Sequence, residues 1–128
     1  MIVTRAFEIK IDAEQFLLDI TGQVERLLRN SKLAEGLLTV FIPGNRVALT
    51  TVTSEGGKLT GLETVWRKLD LFGGDPLDVQ LKIALIGTSL SIPVHRSKLL
   101  LHTWQQIVLI NFSQEEHWHQ VTVQAQGE

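Results

Sequence analysis

Residues 37–53, LLTVFIPGNRVALTTVT, decide the fold. Leu37 to Pro43 is almost continuously apolar, as a buried strand is. Gly44-Asn45 is a turn dipeptide, and Arg46 to Thr53 is rich in β-branched residues, which suit a pleated surface. Two strands joined this closely predict a hairpin or a tight bend.

Working outward, residues 2–11 alternate apolar and polar with one slip near Ala6, which predicts a strand. Asp12 followed three residues later by Gln15 has the form of a capping box. It predicts a helix running to about Asn30, with Phe16, Leu17, Ile20, Val24, Leu27 and Leu28 on one face and Gly22 inside it. Leu59 to Leu69 is a second candidate helix, with Leu62, Val65, Trp66 and Leu69 on one face. After the loop 71–76, Asp75-Pro76 reads as the start of a short helix that reaches Ile86 and stops at Gly87. Strands are expected at 89–94, 98–101, 105–112 and 118–126. The pattern is that of an α+β chain, one domain over residues 1–128, with helices packed on a mostly antiparallel or mixed sheet.

The chain has 128 residues, 44% hydrophobic and 20% charged, enough to bury a core without staples. Its 12 Lys plus Arg against 14 Asp plus Glu leave a net charge of −2, which argues against a nucleic-acid partner. With no Cys, disulfides, zinc–thiolate sites and thiol nucleophiles are excluded. The opening MIVTRAFEIK alternates instead of forming an apolar run, so no secretory signal is expected. No stretch approaches the roughly 18 apolar residues of a membrane span. The expected location is the cytoplasm, without a membrane partner. Gly56-Gly57 and Gly73-Gly74 lack the spacing of a phosphate loop, and neither a Gly-x-Ser-x-Gly nor a His-Glu-x-x-His motif occurs.

Three weaker features carry chemistry. His117 and His119 share one face of a strand, so both imidazoles could reach one metal ion, with Glu115 and Glu116 nearby. His95-Arg96 and His102-Thr103-Trp104-Gln105 could gather at one sheet edge and hold an anion, or lie in exposed turns. Asp75, Asp78 and Gln80 stand near a helix start, where an aspartate caps free N–H groups. Leu99–Leu101 and Ile107–Ile110 are apolar on both faces, which predicts cover from a second subunit.

Leu85 to Val94 (LIGTSLSIPV), Thr103 to Ile107 (TWQQI), the Gly127-Glu128 ending and the strand Val40-Phe41-Ile42-Pro43 occur in the order of known family motifs. The chain resembles the YjbQ family, also called the secondary thiamine-phosphate synthase family. The resemblance implies an α+β fold, a homotrimer, and a polar pocket near subunit contacts that takes a small phosphorylated ligand. It names no cofactor. The family's His-Thr-Thr motif and its Asn-Glu pair fall on residues 44–53, where this chain has Gly44, Val52 and Thr53. The family's His-Ala-His falls on Asp78-Val79-Gln80. The imidazoles and carboxylate that could bind metal or move a proton are thus absent at the matched positions. Arg46, Thr50, Asp78, Gln80, Lys82, Thr103, Trp104 and Gln105 are the ligand-binding candidates, and His117 and His119 the metal candidates. The functions implied are a catalytically eroded ligand-binding trimer, a weak thiamine-phosphate synthase, or a metal-binding protein.

Overall fold

A computed structural model describes residues 1–44, 46–54, 56, 59, 63, 64, 68 and 76–128. The elements are β1 (Ile2–Ile11), β2 (Leu17–Asp19), α1 (Thr21–Ser31), β3 (Gly36–Phe41), β4 (Val47–Thr53), α2 (Asp78–Ile86), β5 (Ser89–His95), β6 (Lys98–Leu99), β7 (Gln105–Asn111) and β8 (His117–Gly127). Leu62, Val65, Trp66 and Leu69 of the expected middle helix lie outside the described residues, as do Asn45 and Asp75.

The strands form two antiparallel sheets, β1-β8-β3-β5-β6 and β2-β7-β4. The stretch 37–53 is therefore not a hairpin. β3 pairs with β5 and β8, whereas β4 pairs with β7, so Pro43-Gly44 begins a tight bend from one sheet to the other.

The expected first helix is also corrected. The capping-box bond exists, with the Asp12 N–H donating to Gln15 Oε1 at 2.9 Å, but no helix follows it. Leu17, Leu18 and Asp19 pair with Ile110, Leu109 and Val108 of β7, so their backbone groups go to a ladder. Asp19 Oδ1 then accepts the Thr21 N–H at 2.9 Å, and α1 starts there. α2 ends at Gly87, as expected, with φ +100° and its N–H on the Ile83 carbonyl.

Alternation along the small sheet explains its burial. Leu18, Leu49, Ile107 and Leu109 join one core with α1 and the inner face of the large sheet. Ala48 and Ile110 face the other way, against Phe16, Phe112 and the α2 residues Ile83 and Ile86. Ile107 to Ile110 are all fully buried. Their double-sided apolar pattern is thus satisfied within the chain and needs no partner subunit. Leu100, in the other such run, is exposed.

The sheet is closed at one end by two glycines. A Cβ on Gly36 would stand 2.0 Å from the Gln126 carbonyl oxygen, and one on Gly127 2.1 Å from that of Glu35. Those backbones touch because the Glu128 N–H donates to Glu35 and the Ala34 and Glu35 N–H groups donate back to Glu128. Gly36→Ala should destabilise the chain by about 2 kcal/mol or more, since only backbone could move. Gly22→Ala, which meets open space, should change stability by no more than about 0.5–1 kcal/mol. Urea unfolding of both variants checks the contrast.

Candidate functional site

β7 ends in a buried polar residue, Asn111. Its amide group is fully determined by its partners. Nδ2 donates to the Gln15 carbonyl at 2.7 Å, and Oδ1 accepts the Ser113 N–H at 2.9 Å. Oδ1 also lies 3.1 Å from His117 Nε2, so that ring nitrogen carries the proton and donates. The chain then turns through Phe112–Glu116 into β8, and this turn separates two cavities. One, of about 420 Å³, is lined by Arg46, Val79 and Phe112 to Glu115. The other, of about 240 Å³, is lined by Gln15, Phe16, Lys82 and Asn111 to Gln114, together with Ala13.

Arg46 forms no ion pair among the described residues, and its carbonyl accepts the Phe112 N–H at 2.8 Å. Asp78 does not cap α2. Its Oδ2 pairs with Lys82 Nζ at 2.7 Å, one helical turn on, and the two side chains are 20% and 14% exposed. Asp78 Oδ1 is buried without a hydrogen-bond partner among the described residues. Gln80 points away into solvent as an exposed residue.

His117 and His119 pair in register with Ile11 and Ile9. Their rings meet edge to face, with centroids 4.4 Å apart and planes at 86°. His119 hydrogen-bonds Pro43, which has only a carbonyl to offer, so the ring donates. Burial pushes the His119 pKa below its ordinary value, and the neighbouring His117 adds to this. The ring also lies against Gly44: a Cβ there would be 2.9 Å from His119 Cε1. Glu116, near in sequence, is held instead by Lys10 at 3.0 Å.

The remaining candidates lie at the opposite end of β7. Gln105 and Asn111 are six residues apart on one strand, about 20 Å. Gln105 Oε1 accepts the His102 N–H and its Nε2 donates to Thr51 Oγ1. Thr50 and Gln105 share a cavity of about 310 Å³ with Ser89 and Ser91. Thr103 and Trp104 are exposed, and Trp104 has φ +64°, a conformation a bulky residue rarely adopts. One chain therefore does not unite Thr103, Trp104 and Gln105 with Arg46, Asp78 and Lys82.

The expected anion cluster at His95 and Arg96 resolves differently. Arg96 and Ser97 have φ +51° and +65° between the paired residues His95 and Lys98, as a two-residue type I′ turn requires. His95 Nδ1 is 2.9 Å from Glu35 Oε2, and the Arg96 N–H donates to Glu35 Oε1. A carboxylate already fills the place where an anion would bind. The sequence reading missed Asn111, Ser113 and Gln15. Only Asn111 carried a signal, as a polar residue closing the apolar run 107–110.

Residues 5–128 match the family described as UPF0047 protein YjbQ-like. A UPF0047 protein of Archaeoglobus fulgidus is 34% identical over 104 residues, covering 75% of this chain and 80% of its own. Among solved structures, a YbjQ-like protein of Sulfolobus solfataricus superposes with a TM-score of 0.80 at 25% identity, over 100% of both chains. A hypothetical protein of Aeropyrum pernix gives 0.74 at 27% identity, over 97% of this chain and 99% of its own.

The Glu35 contact yields a pH test. The bond from His95, and then that from the Arg96 N–H, hold the Glu35 pKa below its ordinary 4.5. Its contribution is complete above that value and is lost as pH falls through the lowered folded-state pKa. Both side chains are 53% exposed, so the effect is small and screened by salt. Wild type should melt slightly above Glu35→Gln at pH 6, and the difference in Tm should shrink as pH is taken below 4.5.

Proposed function

The chain belongs to the YjbQ-like UPF0047 family, and on that premise we propose that it is a homotrimer that binds a small phosphorylated ligand beside Arg46 and Lys82. The observation that carries the reading is the pair of cavities that share Phe112, Ser113 and Gln114, with Arg46 on one side and Lys82 on the other. Arg46 supplies a planar, permanently charged donor suited to phosphate. Ser113 and Gln114 add neutral hydrogen-bonding groups. Asp78 holds Lys82 in place, and an incoming anion would compete for the ammonium.

The same residues argue for binding over group transfer. Proton transfer needs a group whose charge changes near working pH. Gly44, Val52, Thr53 and Gln80 cannot provide one where the family motifs carry imidazoles and a carboxylate. The trimer is supported by an apolar stripe on α2: Leu77, Leu81 and Leu85 recur every fourth residue and are 61%, 40% and 69% exposed. A neighbouring copy would cover them. It could also bring Thr103 and Trp104 of one chain toward Arg46 of another, which β7 prevents within a chain.

Calorimetric titration with thiamine phosphate and with inorganic phosphate tests the ligand class. Arg46→Ala should weaken binding roughly 10-fold or more, the value of a charge-assisted hydrogen bond. Equal affinity in wild type and variant would sink the reading. Production of thiamine phosphate from its pyrimidine diphosphate and thiazole phosphate precursors, abolished in Arg46→Ala, would instead assign the transferase chemistry. Sedimentation equilibrium should return three times the chain mass of 14.3 kDa, and Leu85→Lys should lower it.

A further inference from the structure

We propose that His117 and His119 form a divalent transition-metal site of two imidazoles, completed by water or a bound anion, where the two sheets meet. The argument is geometric. Metal–nitrogen bonds of about 2.0–2.1 Å place two adjacent imidazole ligands with centroids roughly 4.5 Å apart at a right-angled N–metal–N arrangement and roughly 5.2 Å apart at a tetrahedral one. The observed 4.4 Å is close to the right-angled value, and a tetrahedral ion would draw the rings apart by roughly 0.8 Å.

Each ring is also held as a metal ligand is held. A ligating histidine donates its second ring N–H to a carbonyl or carboxylate, which fixes its orientation and tautomer. His117 donates Nε2–H to Asn111 Oδ1, leaving the Nδ1 lone pair. His119 donates to the Pro43 carbonyl, leaving its other nitrogen. One acceptor ends β7 and the other follows β3, so the arrangement is not a local accident of the i, i+2 spacing.

Gly44 is the third element. Any side chain there would press on His119, with its Cβ 2.9 Å from Cε1 and 3.3 Å from Nδ1. The ring thus occupies the space that a side chain at position 44 would take. Imidazole ligands without thiolates favour zinc, nickel, cobalt or copper over magnesium or calcium. No group of three or more His, Cys, Asp or Glu able to hold a metal occurs among the described residues, so water or a bound anion would have to supply the other ligands. His117 and the Lys82-lined cavity both touch Asn111.

Untagged, full-length chain titrated with Co²⁺, followed by ligand-field absorption, and with Zn²⁺, followed by calorimetry, tests the site. The expected result is saturable binding of one equivalent per chain, unchanged in His102→Ala. His117→Ala and His119→Ala should each weaken it roughly 10-fold or more. Gly44→Ala should also weaken it while circular dichroism and Tm show an intact fold, since both imidazoles remain. No saturable binding by wild type, or an affinity unchanged in His119→Ala or in Gly44→Ala, overturns the proposal. The titrations contain metal alone, without phosphate, so their outcome and that of the phosphate-ligand titrations are separable.

Discussion

The departure of the chain from β3 through Ile42, Pro43 and Gly44 is the constraint on which the rest of this molecule depends. Here the chain leaves the five-stranded sheet after Phe41 and joins the three-stranded sheet at Val47. The crossing is secured on both sides. The buried Ile42 donates its N–H to the Thr88 carbonyl, and the Arg46 carbonyl accepts from Phe112. Pro43 has no N–H to leave unpaired, and its carbonyl accepts a hydrogen bond from His119. Gly44 presents no side chain to the His119 ring. The residues that follow β3 therefore lead from one sheet toward the other and make room for an imidazole.

The burial of β7 explains where polar chemistry can stand. Ile107 to Ile110 are packed on both faces, one against the large sheet and α1, the other against α2. No ligand can approach the middle of this strand. Polar groups are confined to its ends, to Asn111 and the following turn on one side and to Trp104 and Gln105 on the other. A strand of this length keeps the two groups about 20 Å apart. A site that uses both must draw them from different chains, which fits the exposed leucine stripe on α2.

Several local signals in the sequence were physically real without having the consequence expected of them. Gln15 does bond back to Asp12, yet the segment continues into β2 because β7 offers a ladder and buries Leu18. A capping motif biases a helix by about 1 kcal/mol. Strand pairing combined with core burial exceeds that. The alternation of His117 and His119 with Trp118 correctly placed both imidazoles on one face. It could not place Asn111, Pro43 or Gly44 around them, since those residues arrive from the end of β7 and from beyond β3.

The sequence by itself determined the alternating strands at both ends, α2 with its stop at Gly87, the absence of thiol chemistry, and the family. These are properties of residue type and near spacing, and side-chain periodicity is local. Tertiary structure alone decided that residues 37–53 divide between two sheets, that Glu35 closes on His95, and that His119 lies against Gly44. Each of these depends on which strand edges pair. The pairing joins residues as distant as Ile2 and Gln126, and is selected by the burial of the whole core.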